Sequence, residues 1–419
     1  MNRKQEIIIV GGGFGGIAAA KALRKSDCNI TIIDKKNHHL FQPLLYQVAT
    51  AALSPGDIAM PIRAIFSKDS NIRTILGEVT KIDKIGKSLF LKSGQNLTFD
   101  YLILAPGAEY HYFGNDEWAE YAPGLKTIDN ALDIREQILI SLEKADQISE
   151  PDSRKPYLRY VIIGAGPTGV ETAGAISEIA KRNMMRDFKN ISPDETEIFL
   201  IEAGPKVLNG YPENLSQRAQ EDLENMGITV LLNTPVTGIT TDGVQTEGRF
   251  FNTPNIVWAA GVVASPLVGS LDCETDRTGR VKVSPNLTIP GSDSIFVIGD
   301  AAYIEDNNGK PVPALAPAAL QMGRYVGRII HNEGDIRDAK PFQYTDKGTM
   351  ATIGRAKAVA DIRGLKFKGF LAWMLWSFIH IFFLIGFRNR FRVFAEWIWH
   401  YITFKRGVRL ITGRRLKGG

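Results

Sequence analysis

The sequence predicts an α/β protein with two Rossmann-like dinucleotide-binding domains and C-terminal helices that dock on a membrane. A strand, a glycine-rich turn and a helix occur in that order twice, about 150 residues apart. Further short apolar runs alternate with helical stretches between and after them, as in parallel α/β sheets. The last fifty or so residues change in kind and become rich in Trp, Phe and Arg.

The first copy starts with the apolar run Glu6–Val10. Gly11, Gly13 and Gly16 follow in GxGxxG spacing, then a helical stretch, Ile17–Arg24. In this turn the first glycine permits the tight bend, the second lets backbone approach a pyrophosphate, and the third lets helix pack on strand. The helix N-terminus then offers free N–H groups and its positive dipole end to the phosphates. The next strand, Ile30–Ile33, ends at Asp34, eighteen residues after Gly16, where a carboxylate meets ribose hydroxyls.

The second copy is Tyr160–Ile163, then Gly164, Gly166 and Gly169, then the helical stretch Val170–Lys181. Its acid, Glu202, closes the strand Ile198–Ile201 and lies thirty-three residues past Gly169, the polar stretch Lys181–Glu197 supplying the excess. A carboxylate here accepts a 2′-hydroxyl and repels a 2′-phosphate, which favours NADH over NADPH. Lys206, close by, weighs the other way.

Other strands are expected at Tyr101–Leu104, Ile256–Trp258, Ile295–Ile298 and Met350–Ala360, with a polar linker at Pro151–Pro156. The domain boundaries follow: 1–120 with 260–345, an inserted 121–259, and 346–419 as a strand region and anchor. Hydrophobic residues make up 44% and charged residues 23%, enough for a large core and against bulk disorder. The two cysteines, Cys28 and Cys273, form no CxxC pair and exclude a disulfide framework. The N-terminal apolar run Ile7–Val10 is too short for a signal-peptide core. His38 and His39 read as loop residues, and no metal site is expected.

Charge is concentrated at the C-terminal end. From Leu365 to Gly419 there are eleven Lys or Arg against Glu396 alone, giving +10 out of a net +5 and leaving −5 for the rest. Phe370–Phe387, FLAWMLWSFIHIFFLIGF, is eighteen residues without Asp, Glu, Lys or Arg. Phe391, Phe394, Ile398, Tyr401 and Ile402 then recur at helical spacing, and four of the six tryptophans fall in this tail. A buried core helix explains neither the tryptophans nor the flanking arginines. A single crossing would translocate nine Lys or Arg, against the positive-inside rule. A monotopic anchor fits better: aromatic helices in the interface, with basic residues on anionic headgroups. Nucleic acid is not the partner, because a long uncharged aromatic run is no phosphate-tracking groove.

The order of motifs resembles the flavoproteins with two dinucleotide-binding domains. That resemblance implies FAD on the N-terminal motif and NADH on the inserted domain, which splits the FAD domain. Tyr101–Ala108, YLILAPGA, resembles the strand-ending turn near FAD and brings in Gly107. Ser294–Asp300, SIFVIGD, resembles the second FAD fingerprint and implies that Asp300 contacts the ribityl chain. No redox cysteine pair is present, which disfavours disulfide reductases and sulfide:quinone oxidoreductases. The chain more closely resembles the type II NADH dehydrogenases, over nearly its whole length. His38–Arg63 is similar to that family's loop along the flavin, and Ile256–Pro266, IVWAAGVVASP, to its return strand. The GVE after the second turn implies Glu171 near the nicotinamide. Tyr344–Arg355 implies Lys347 near flavin and quinone. Ala316–Gln321 resembles the AQxxxQ quinone motif and implies Gln321 as a quinone contact. Pro317 departs from that motif and offers no donor.

The implied function is electron transfer from NADH through FAD to a membrane quinone, without proton pumping, in a respiratory chain. The implied location is peripheral, on the cytoplasmic face of the cell membrane, through residues 365–419. A homodimer is left open. Two alternatives stay open as well: a soluble NAD(P)H-dependent reductase of a ferredoxin- or rubredoxin-like protein, and an NADH-sensing flavoprotein.

Overall fold

The computed structural model describes residues 3–183, 187–332, 336–403, 408–411 and 413. Of the basic tail, Lys405, Arg406, Arg414, Arg415 and Lys417 lie outside the described residues. In chain order, the elements that position the site are β1 (Gln5–Val10), α1 (Phe14–Leu23), β2 (Cys28–Asp34), β3 (Ile72–Leu76), β4 (Tyr101–Leu104), α2 (Ile128–Gln147), β5 (Arg159–Ile163), α3 (Pro167–Glu178), β6 (Glu197–Ile201), β7 (Ile228–Leu231), β8 (Asn255–Trp258), β9 (Ile295–Val297), α4 (Ala316–His331), β10 (Thr349–Gly354), β11 (Lys357–Ile362), β12 (Leu365–Lys368), α5 (Gly369–Phe383) and α6 (Phe387–Thr403).

They divide between two compact units. The first comprises Met1–Leu40, Ala59–Glu109 and Val262–Asp346; the second comprises Phe41–Ile58, Tyr110–Gly261 and Lys347–Gly419. In the first unit the sheet order is β9-β4-β1-β2-β3, all parallel. Ile7, Ile8 and Ile9 are buried, as a strand covered on both faces requires. The strand order reverses at β1, so the ligand-binding crevice of the sheet opens at its carboxyl end.

Helix α4 lies close against α1 because both lack bulk at the contact. A Cβ on Gly323 would stand 2.2 Å from the Gly15 carbonyl oxygen, and one on Gly327 2.5 Å from the Ala22 Cβ. The Gly323-x-x-x-Gly327 spacing facing Ala18, Ala19 and Ala22 is the signal for this contact, and sequence reading passed over it.

The second unit repeats the pattern with order β7-β6-β5-β8, again all parallel. Beside it, β10, β11 and β12 form an antiparallel sheet. Gly174 of α3 lets β10 approach: a Cβ there would lie 1.6 Å from the Ile353 carbonyl oxygen. Helix α5 packs on this sheet, with Ala372 against Ala358 and Ala360.

Four expectations change. Met350–Ala360 is not one strand: β10 and β11 are two antiparallel strands turning at Arg355–Ala356, where Ala356 takes a left-handed φ of 60°. Pro151–Pro156 is not a free linker. It forms a helical turn, Pro151–Arg154, whose buried Arg154 donates two hydrogen bonds to Glu195 at 2.7 and 2.9 Å. His39 is not a loop residue but a buried member of the short strand His38–Leu40. The uncharged run Phe370–Phe387 is broken: α5 ends at Phe383 and Leu384 turns extended, with φ −64° and ψ 133°.

At about 1.5 Å per residue, the fifteen residues of α5 reach about 22 Å, short of a hydrocarbon core of about 30 Å. Among the described residues no helix is long and apolar enough to cross a membrane.

Candidate functional site

The two glycine turns have the same construction. In the first, Gly11 sits at φ +105° and a Cβ would strike the Ala105 carbonyl oxygen at 2.1 Å; one on Gly16 would strike the Gly11 oxygen at 1.9 Å. In the second, Gly164 sits at φ +98° with Ala260 N at 2.7 Å from such a Cβ, and Gly169 meets the Gly164 oxygen at 1.8 Å. The middle glycines differ. Nothing lies within 4 Å of a Cβ on Gly13 or on Gly166. Each turn is therefore packed tight behind and open in front, at the N-terminus of α1 or α3. That is the space a pyrophosphate needs, so the residues fit a dinucleotide at both turns.

The two acids also share a task. Asp34 accepts from Gly12 N at 2.5 Å and Lys36 N at 2.6 Å. Glu202 accepts from Ala165 N at 2.7 Å and Gly204 N at 2.8 Å. Each carboxylate thus ties its strand end to its own glycine turn, a role the spacing did not reveal. Burial raises the Asp34 pKa, opposed by those two backbone N–H groups. Lys206 donates to Glu213 at 2.9 Å and to the Tyr211 carbonyl at 3.4 Å, so its charge is already engaged within the fold.

His39 completes the first turn. Its Nδ1 donates to the Gly12 carbonyl at 3.0 Å, and its ring meets Phe14 edge-on at 5.0 Å. Burial pushes its pKa down to about 4, which keeps the ring neutral. Gly12 is held through its N–H by Asp34 and through its C=O by His39.

Elsewhere in the first unit, Gly107 takes φ +76° with open space where a Cβ would be. Asp300 lies in the first turn of a short helix, Gly299–Ala301, whose glycine takes φ +70° against Ala319 of α4. Pro317 occupies the first turn of α4, where a missing N–H costs nothing. Gln321 donates to the Thr345 carbonyl at 3.0 Å and accepts from Thr345 N at 2.9 Å. Its carboxamide is a clamp on that backbone, with one N–H and one lone pair to spare.

The second unit holds Glu171, in the first turns of α3. Thr352 N of β10 donates to its Oε1 at 3.3 Å, and the Trp376 indole of α5 faces the carboxyl. Burial pushes its pKa up to about 8, and those two donors oppose the shift. Lys347 sits with its ammonium 5.7 Å from the Phe383 ring centroid.

A carboxyl whose pKa rises on folding contributes stability that is complete below about 4.5 and lost as pH rises through about 8. Glu171→Gln is therefore expected to flatten thermal stability against pH across that window. At about 1.4 kcal/mol per pKa unit, the difference reaches a few kcal/mol by pH 9. Parallel curves for wild type and variant would refute it.

Of the four tail tryptophans, Trp376 is 2% exposed and Trp399 56%. Trp376 stacks on His380 at 4.1 Å and on Trp397 at 5.5 Å. Trp397 Nε1 donates to Gln47 Oε1 at 2.8 Å, and Gln47 in turn donates to Tyr46. Trp376 and Trp397 thus turn inward, contrary to a uniform belt of headgroup tryptophans.

The arginines between the helices are partly occupied as well. Arg390 donates to the Leu384 carbonyl at 2.7 Å, and Arg392 lies 3.5 Å from the buried Asp57. The outward face carries Phe370, Met374, Phe378 and Phe382 of α5, one stripe at four-residue spacing. Phe391, Phe394 and Ile398 of α6 are exposed too.

Paired open cradles of this kind define a protein built to hold two dinucleotides. Comparison with known proteins agrees. The pyridine nucleotide-disulphide oxidoreductase family model matches residues 5–323, and the NDH2 C-terminal domain model matches residues 347–406. Two type II NADH:quinone oxidoreductases of Mycobacterium tuberculosis are 40% and 42% identical, over 99% of this chain and 91% and 90% of theirs. The fold matches an NDH2 of Plasmodium falciparum solved with NADH, with a TM-score of 0.89 at 22% identity, covering 97% of this chain and all of that one. The chain belongs to the type II NADH:quinone oxidoreductases.

Proposed function

We propose that this chain takes a hydride from NADH onto FAD and passes the electrons to a quinone at a membrane surface. The pair of open glycine cradles carries the reading, supported by relatives named for NADH and quinone. FAD would be held at Gly11, Gly13 and Gly16, with Asp34, Gly107 and Asp300 along its length. NADH would be held at Gly164, Gly166 and Gly169, with Glu202 at its ribose.

Bound flavin supplies the two-electron carrier chemistry; the chain supplies position and exclusion of water. Glu171, held protonated near neutral pH, can donate a hydrogen bond or give up a proton beside the nicotinamide. Gln321 orders the Thr345 backbone and keeps one amide N–H for a quinone carbonyl, where Pro317 offers none. Lys347 would supply a cation to flavin and quinone, as the resemblance implies.

The exposed stripes of α5 and α6 form the lipid-facing side. They dock the protein on the cytoplasmic face of the cell membrane as a peripheral enzyme that moves no protons across it.

Steady-state turnover tests this. Purified protein should oxidise NADH in preference to NADPH and reduce a short-chain quinone. Vesicles carrying it should not acidify on NADH addition. Flavin reduction with no transfer to any quinone would discard the quinone step, and uncoupler-sensitive acidification would discard the absence of pumping.

A further inference from the structure

The aromatic stack on the inner side of α5 and α6 leaves one polar hydrogen without a proper acceptor. His380 Nδ1 donates to the Trp376 carbonyl at 2.7 Å. Trp397 Nε1 has Gln47 at 2.8 Å. Trp376 Nε1 is buried and makes no hydrogen bond of good geometry, and the oxygens it faces are those of the Glu171 carboxyl. A buried indole N–H without an acceptor is costly, so this arrangement needs a reason.

We propose that Trp376 is a positioning residue for Glu171: its indole N–H is a donor held in reserve for the ionised carboxylate. When Glu171 is protonated, Thr352 N supplies its one long hydrogen bond and the indole stays unpaired. When Glu171 ionises, the N–H that faces it becomes a charge-assisted donor to the carboxylate. The stack fixes the indole from behind. His380 lies against one face at 4.1 Å, Trp397 stacks at 5.5 Å, and the Gln47 bond pins Trp397.

The groups that bear on Glu171 are few. Thr352 reaches it from β10, Trp376 from α5 and Tyr211 from the stretch before residue 213, while His380 stands behind the indole as a neutral ring. The helices that carry the outward apolar stripe thereby also furnish a residue to the reaction site. This inference rests on the reading that Glu171 works beside the nicotinamide.

The test is Trp376→Phe in the full-length holoenzyme, which keeps an aromatic ring and removes the N–H. The rate of flavin reduction by NADH is followed against pH, and the Glu171 limb is the one missing in Glu171→Gln. In Trp376→Phe that limb should move up by about one pH unit, the value of a hydrogen bond reserved for a charged group. The double variant should match Glu171→Gln alone. The same upward move should appear in thermal unfolding against pH, a readout that needs no NADH.

Trp397→Phe keeps a stacking ring but frees the tether to Gln47, and should move the limb the same way by less. It decides the matter if Trp376→Phe loses its flavin through misfolding. An unmoved or lowered limb overturns the proposal. If Glu171→Gln keeps the limb, the nicotinamide reading of Glu171 fails instead, and the unfolding curves alone judge the Trp376–Glu171 pair.

Discussion

Gly13→Val is expected to give a folded, colourless protein, and Gly166→Val a yellow protein that dithionite reduces but NADH does not. A Cβ at either position meets no atom of the chain within 4 Å. Neither substitution strains the backbone: φ is −74° at Gly13 and −70° at Gly166, with ψ near 180° in both. Unfolding of the two apoproteins should stay within about 1 kcal/mol of wild-type apoprotein, as for substitutions that touch nothing.

Binding should suffer far more. An isopropyl group would fill the space proposed for the pyrophosphate and cut it off from the helix N-terminus. Losing two charge-assisted hydrogen bonds there costs about 3 kcal/mol or more, a factor of at least about a hundred. Flavin content, and the rate of flavin reduction by NADH, check the two halves separately. Wild-type flavin occupancy in the first variant would move FAD away from the N-terminal turn. Wild-type reduction in the second would do the same for NADH.

Ending the chain at Lys368 is expected to damage the enzyme itself, not only its attachment. Truncation removes Ala372, Trp376 and Val393 from the interior and leaves Asp57 without Arg392. Loss of one buried tryptophan alone costs about 3–5 kcal/mol. It also uncovers Glu171, whose pKa should fall from about 8 toward the ordinary carboxylate range.

A pair of glutamates at Phe378 and Phe382 should do the opposite. Both positions face outward, so turnover with a water-soluble quinone should hold while sedimentation with anionic vesicles is lost. If the truncated chain keeps wild-type turnover and pH dependence, α5 and α6 are anchor alone. If the glutamate variant still sediments fully, the stripe is not the lipid contact.

The sequence by itself determined what depends on near neighbours. The strands at Glu6–Val10 and Tyr160–Ile163, both glycine turns and the acids Asp34 and Glu202 were legible because turn geometry and strand ends are local. Glu171, Gln321 and Lys347 were singled out only through resemblance, since a lone acid, amide or lysine has no local signature.

The tertiary structure decided what depends on partners far along the chain. Eighteen uncharged residues do not say where a helix stops; the extended turn at Leu384 and the Arg390 bond to its carbonyl do. Composition placed all four tail tryptophans at one lipid surface. Packing separated them, because Trp376 and Trp397 share one face with His380, Gln47 and Glu171, and only the opposite stripe is left to water or lipid. Helical periodicity predicts that two faces exist. Which one turns inward is decided by the side chains it meets, and two of those, Gln47 and Glu171, come from far along the chain.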